Sequence, residues 1–175
     1  MNSGLQFYDG ITSTEIQSIL IKSAADLICL ETPNYQYVAA RLLLFQVRKS
    51  VFNTKWKDSE IYPPLKDIVL RNINYNVYDE KLITYYSDEE WEKLDSYMKH
   101  DRDLLFTYAG LRQVVDKYLV QDRSSGQLYE SPQYMYMLIA AVLFKDYPPE
   151  KRMQYVKRYY DSVSAFKINI PTPIM

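Results

Sequence analysis

The sequence predicts a mainly α fold, a multi-helix domain with one β-hairpin late in the chain and a strand at its C-terminal side. Apolar residues recur at three- and four-residue spacing through most of the length. Caps and prolines stand where those runs begin. Only three short stretches read as strands instead. Ile16, Ile19, Leu20, Ala24, Leu27 and Ile28 mark a first amphipathic helix, with Thr12, Ser13 or Thr14 as its cap and Thr32-Pro33 as its end. A second runs through Val38, Leu42, Phe45 and Phe52, and a third, opened by Pro63-Pro64, through Leu65, Ile68, Val69 and Ile73. Ser87 and Glu90 form a capping box before a helix carrying Trp91, Leu94 and Met98. His100-Asp101-Arg102-Asp103 separates that helix from the apolar stretch Leu104 to Val115.

Lys117 to Asp122 and Gln127 to Glu130 read as the two arms of the hairpin, with Gly126 at the turn position that wants positive φ. Ser131-Pro132 then caps a helix that is apolar nearly all round, and so predicted to be central. Pro148-Pro149 opens the last helix, through Met153, Val156, Tyr159, Tyr160 and Val163. Ala165 to Pro171 alternates like a strand, although the chain offers it only the hairpin as a sheet partner.

With 47% hydrophobic residues among 175, the chain has material for a real core. No apolar run approaches the roughly 18 residues of a membrane span, and the N-terminal residues show no secretory signal, so a soluble, cytoplasmic chain is expected. Net charge is −1 with both signs interspersed, which argues against direct nucleic-acid binding. The single cysteine, Cys29, lies on the stripe of the first helix and is expected to be a small buried hydrophobe. Eighteen tyrosines are unusual. Tyr134, Tyr136, Tyr155, Tyr159 and Tyr160 fall in helices beside apolar residues, where a ring with a polar tip suits either core packing or a subunit surface.

Catalytic constellations are hard to find. Four unclustered glycines make no phosphate-binding loop, and His100 is the only histidine. Asp101 and Asp103 beside His100 could be drawn as a metal or acid–base site. A capping and ion-pair network at a helix junction is the favoured reading of those same residues. From these residues alone the reading is a soluble helical domain of unspecified role.

Several segments, in order, resemble the large (alpha) subunit of class I ribonucleotide reductase. They are Gln6-Phe7-Tyr8-Asp9-Gly10, Ala24-Ala25-Asp26-Leu27-Ile28, Tyr35 to Leu42, His100 to Asp103, Lys117 to Arg123, Tyr129 to Gln133, Gln154 to Arg158, Phe166-Lys167 and Pro171-Thr172-Pro173-Ile174-Met175. The resemblance implies that residues 1–165 form the helical domain of that subunit. Residues 166–175 would be a strand and loop leading into a ten-stranded α/β barrel where ribonucleotides are reduced. It also implies that Thr172 contacts the phosphates of the bound ribonucleotide, which suits a hydroxyl held extended between two prolines.

The redox and thiyl-radical cysteines, and the Asn and Glu that move protons in that chemistry, match no residue of this chain. No catalytic residue and no cofactor is therefore assigned to it. A complementary C-terminal fragment is expected to complete the large subunit. A separate beta subunit would carry the metal centre that starts the radical, and a dithiol protein would supply electrons for reduction of ribonucleoside diphosphates. The reading preferred is a naturally split subunit, inactive alone, over a piece of one longer chain. The alternative is a helical interaction or regulatory module derived from the reductase, using its tyrosine-rich surface.

Overall fold

The computed structural model describes residues 7–53 and 62–170. Within them the chain folds as helix after helix: α1 (Ser13–Ala25), α2 (Tyr35–Phe52), α3 (Leu65–Asn74), α4 (Asp88–Tyr97), α5 (Tyr108–Lys117), α6 (Pro132–Phe144) and α7 (Pro149–Ser164). Two 3₁₀ turns, Glu80–Tyr85 and His100–Leu105, flank α4.

The sequence's own signals set most of these boundaries. Thr12 caps α1 and Ser87 caps α4, each through a capping box in which the glutamate three residues on reaches back to the cap's N–H. Pro132 and Pro149 occupy the first turns of α6 and α7, where a missing N–H costs nothing. Ser131 precedes α6, but its side chain makes no capping bond. Asn53 ends α2 in the left-handed region at φ 51°, its N–H donating to the Lys49 carbonyl.

Helix α1 packs on α2, α2 on α5, α3 on α4 and α6 on α7. α6 is the central element, with Tyr134, Met137, Ala140 and Ala141 all fully buried. Trp91, Leu65, Ile68, Leu94 and Leu111 complete the middle of the core. On α2 the buried stripe is Ala39, Ala40, Leu43, Leu44, Val47 and Val51, one position round from the predicted face, and Val38 is exposed. The tyrosines divide: Tyr134, Tyr136 and Tyr160 are core residues, whereas Tyr155 is exposed. Two of these rings pair their hydroxyls, Tyr134 with the Pro63 carbonyl at 2.5 Å and Tyr160 with Gln133 Oε1 at 2.6 Å.

Three expectations are corrected. The predicted hairpin is reduced to one antiparallel bridge, Gln121 with Leu128, and the two flanking bonds Asp122 N–H to Gln127 and Tyr129 N–H to Val120. Other backbone groups of the segment find partners in α3, α5 and the Glu130 side chain instead. Tyr118 and Leu119 N–H close onto Val114 at the end of α5, Val120 N–H donates to the Glu130 carboxylate, and the Tyr129 carbonyl accepts from Arg71 and Asn72. Gly126 does take positive φ, at 74°.

The expected C-terminal strand is absent among the described residues. Phe166 N–H donates to Val163, and Lys167 and Ile168 N–H both donate to Ser162, so this segment wraps the end of α7. Those N–H groups satisfy helix-end carbonyls and are spent before any ladder could form.

Cys29 is exposed rather than buried. α1 stops at Ala25 with Asp26 as its cap, so the helix ends before Cys29 could turn onto the stripe. Its sulfur lies 3.1 Å from Thr32 Oγ1, in a turn where Thr32 also donates to the Leu27 carbonyl.

Candidate functional site

Thr172, the one residue with an expected binding role, lies outside the described residues, as do Gln6 and the rest of Pro171 to Met175. The structure does describe the approach to it, from the last turn of α7 to Ile170, and the His-Asp-Arg-Asp turn against which α7 is fixed.

That turn joins three helices. Arg102 Nη2 pairs with Asp161 Oδ1 at 2.9 Å, and Nη1 donates to Ser164 Oγ at 2.6 Å. Its guanidinium also lies 5.5 Å from the centre of the Tyr160 ring. Ser164 in turn donates to the Tyr160 carbonyl, and Tyr160 Oη accepts from Lys99 N–H at 2.7 Å. The end of α7 is thus tied to Lys99 and Arg102 through Tyr160, Asp161 and Ser164.

Asp103 points inward, to α6 and α2. Its carboxylate accepts from Gln133 Nε2 at 2.8 Å, while Arg48 Nη2 stays 4.0 Å away, beyond hydrogen-bond length. Burial therefore dominates and pushes the Asp103 carboxyl up to about 7, against the opposing pull of Gln133 and Arg48. His100 stacks on Tyr62 at 3.7 Å between ring centres and tilts against Tyr134. Burial first and the Arg48 charge second draw it down to about 4, so it is neutral at pH 7.

This arrangement decides between the two readings of the motif. Asp101 is exposed and Asp103 is buried, so the two carboxylates do not converge. Among the described residues no group of three or more His, Cys, Asp or Glu could hold a metal ion. The motif is an ion-pair and packing junction. Its partners Arg48, Gln133, Asp161 and Ser164 come from remote segments, and no local spacing in the sequence links them to it.

Beside the junction, a cleft of about 690 Å³ opens between α5, α6 and the wrapped segment after α7. Phe106, Val114, Tyr136, Val163, Phe166 and Ile170 give it a mostly apolar lining. No helix of the described residues is long and apolar enough to cross a membrane.

Residues 104–175 match the all-alpha domain of ribonucleotide reductase. Over its whole length the chain is 48% identical to the alpha subunit of ribonucleoside-diphosphate reductase 1 of Escherichia coli, of which it covers 22%. It is 46% identical to the corresponding alpha subunit of Haemophilus influenzae, again over all of this chain and 22% of that protein. With the alpha subunit of Enterobacteria phage T4 it shares 45% identity over 95% of this chain and 21% of that one. The match to the all-alpha domain is thus a similarity of residues 104–175, and the similarity to the large-subunit sequences extends over the whole chain. The chain spans 22% of the length of the relatives it matches best among these.

Proposed function

We propose that this chain forms the helical part of a ribonucleoside-diphosphate reductase large subunit. It works only in combination with the remaining, barrel-bearing part, supplied as a complementary C-terminal fragment. The assembled enzyme would reduce ribonucleoside diphosphates to deoxyribonucleotides by a thiyl-radical mechanism in the cytoplasm. A separate beta subunit with a metal centre would start the radical, and a dithiol protein would return the electrons. The observation that supports this most is the 48% identity maintained along the entire chain to a reductase alpha subunit.

In this reading residues 1–165 are the helical domain, and residues 166–175 lead the chain into the barrel. In the same reading Thr172 donates its hydroxyl to a substrate phosphate oxygen. The chemistry itself belongs to residues elsewhere in the subunit.

The test is complementation. This chain is mixed with the C-terminal part of the large subunit and the beta subunit, and deoxyribonucleotide formation is assayed. Activity should require all three, and the two large-subunit parts should co-elute in gel filtration. Full activity without this chain, or failure of the two parts to associate, would refute the reading.

A further inference from the structure

The cleft between α5, α6 and the segment after α7 has no charged side chain among its described lining residues. Phe106, Val114, Tyr136 and Val163 are its buried members, and Gln113 and Asn169 are exposed polar ones. A nucleotide or other anion would find no cation there. An apolar protein surface would find a matching centre with hydrogen-bonding groups around it. Three further lining residues, Leu105, Phe166 and Ile168, are 53%, 45% and 48% exposed. None of the three has a polar tip to offer to water, and clustered apolar exposure of this kind marks a surface that a partner covers.

One wall of the cleft is fixed in advance. Phe166 adopts φ 56°, in the left-handed region where glycine is usual and a bulky side chain is an outlier. Its ring meets Phe106 edge-on, with ring centres 4.7 Å apart and planes at 70°. Arg102 clamps the end of α7 through Asp161 and Ser164. Strained backbone persists where the surroundings over-determine it, and a wall set before binding has little freedom left to lose on binding. The exposed apolar group at the bend between α6 and α7 is different in kind. There Tyr147 and Tyr155 lie 5.3 Å apart, both against Phe144, so the rings cover one another and their hydroxyls suit water.

The length of the relatives indicates the occupant. This chain covers 22% of the reductase alpha subunits it resembles, so most of such a subunit lies outside it. Phe166, Ile168 and Ile170, from the last described segment, line the cleft, which therefore lies where the described chain ends. We propose that this cleft is the docking surface for the remaining part of the large subunit, which seats an apolar helix or strand face in it while Gln113 and Asn169 hydrogen-bond at its edge. This rests on the reading of the chain as one part of a reductase large subunit.

The test is calorimetric titration of this chain with the C-terminal part of the large subunit, using Leu105→Glu and Ile168→Glu variants. Leu30→Glu and Leu143→Glu, at side chains 96% and 44% exposed away from the cleft, are the controls. All four positions face water, so the fold tolerates the charge, and circular dichroism melts verify this. Each cleft variant should raise Kd at least about tenfold, because a carboxylate would be buried without a partner, and each control should stay within about twofold. Binding of the native chain with an unchanged Kd in both cleft variants overturns the docking surface and leaves the reductase reading standing. An equal loss in the controls overturns it as well. Failure of the native chain to bind overturns both. Sedimentation of this chain alone covers the remaining occupant: a dimer that Leu105→Glu dissociates would assign the cleft to a second copy and overturn the proposal.

Discussion

Replacing Asp103 with asparagine should make the protein more stable at neutral pH, and the gain should grow with pH. Asparagine is isosteric and its Oδ1 can still accept from Gln133, so packing is preserved. In the fold the carboxyl is raised from 3.8 to about 7, because burial outweighs Gln133 and an Arg48 guanidinium held 4.0 Å away. Between those values the unfolded chain has lost the proton and the folded chain keeps it. The folded state then binds more protons, and stability falls as pH rises, by about 1.4 kcal/mol per unit. Over about three units this amounts to roughly 4 kcal/mol, all of it absent from the asparagine variant.

His100 works in the opposite sense. Its pKa falls from 6.5 to about 4, so from about pH 4 to 6.5 the unfolded state binds the extra proton and stability rises with pH. The two slopes oppose each other in the native protein and are unmasked one at a time. Urea melts at half-unit intervals from pH 4 to 8 would show Asp103→Asn drawing ahead of the native protein as pH rises. His100→Gln should fall behind it over the lower part of the same range. A variant difference that stays flat from pH 4 to 7 would refute the reasoning. So would an asparagine variant that is less stable above pH 5 and level with the native protein below 4, the signature of an ionised Asp103 held by Arg48.

Three further outcomes follow from the fold. Cys29 should react with a thiol reagent in the native protein as fast as in urea, and Cys29→Ser should change stability by less than about 0.5 kcal/mol, since the side chain is exposed. Thr12→Ala and Ser87→Ala should each cost about 1 kcal/mol in denaturant melts, because each removes the side-chain half of a capping box. Trp91→Ala should cost about 3–5 kcal/mol, as a fully buried indole is deleted along with its bond from Nε1 to the Ile83 carbonyl.

Local signals recovered the helices because each is written within a few residues. A capping box, a proline at the first turn and an apolar spacing of three and four all act inside one helix, so Thr12, Ser87, Pro132 and Pro149 announce their elements directly. The failures are places where a local pattern is overruled, by other partners for the hairpin and by an early helix end for Cys29. Lys117 to Glu130 has turn chemistry suited to a hairpin, but Arg71, Asn72 and the Glu130 carboxylate take backbone groups that a ladder would need. Cys29 fits the stripe of α1 by spacing, and only the early stop at Asp26 places it outside.

The segment after α7 carries the argument furthest. Its alternation of apolar and polar residues is genuine, and Phe166 and Ile168 do line the same cleft. A period of two by itself does not distinguish a strand from a short wrap around a helix end, because both can turn alternate side chains to one side. What decides is where the N–H groups go, and here they return to Val163 and Ser162. A strand would have needed a sheet to hold it. The wrap needs only the helix it caps, the Phe106 ring and the Arg102 clamp, all supplied by this chain. The role expected of Thr172 comes from resemblance alone, since a Pro-Thr-Pro segment has no chemistry of its own. The left-handed turn at Phe166 was not legible at all, because nothing in a sequence marks a phenylalanine that must stand where glycine would be cheaper.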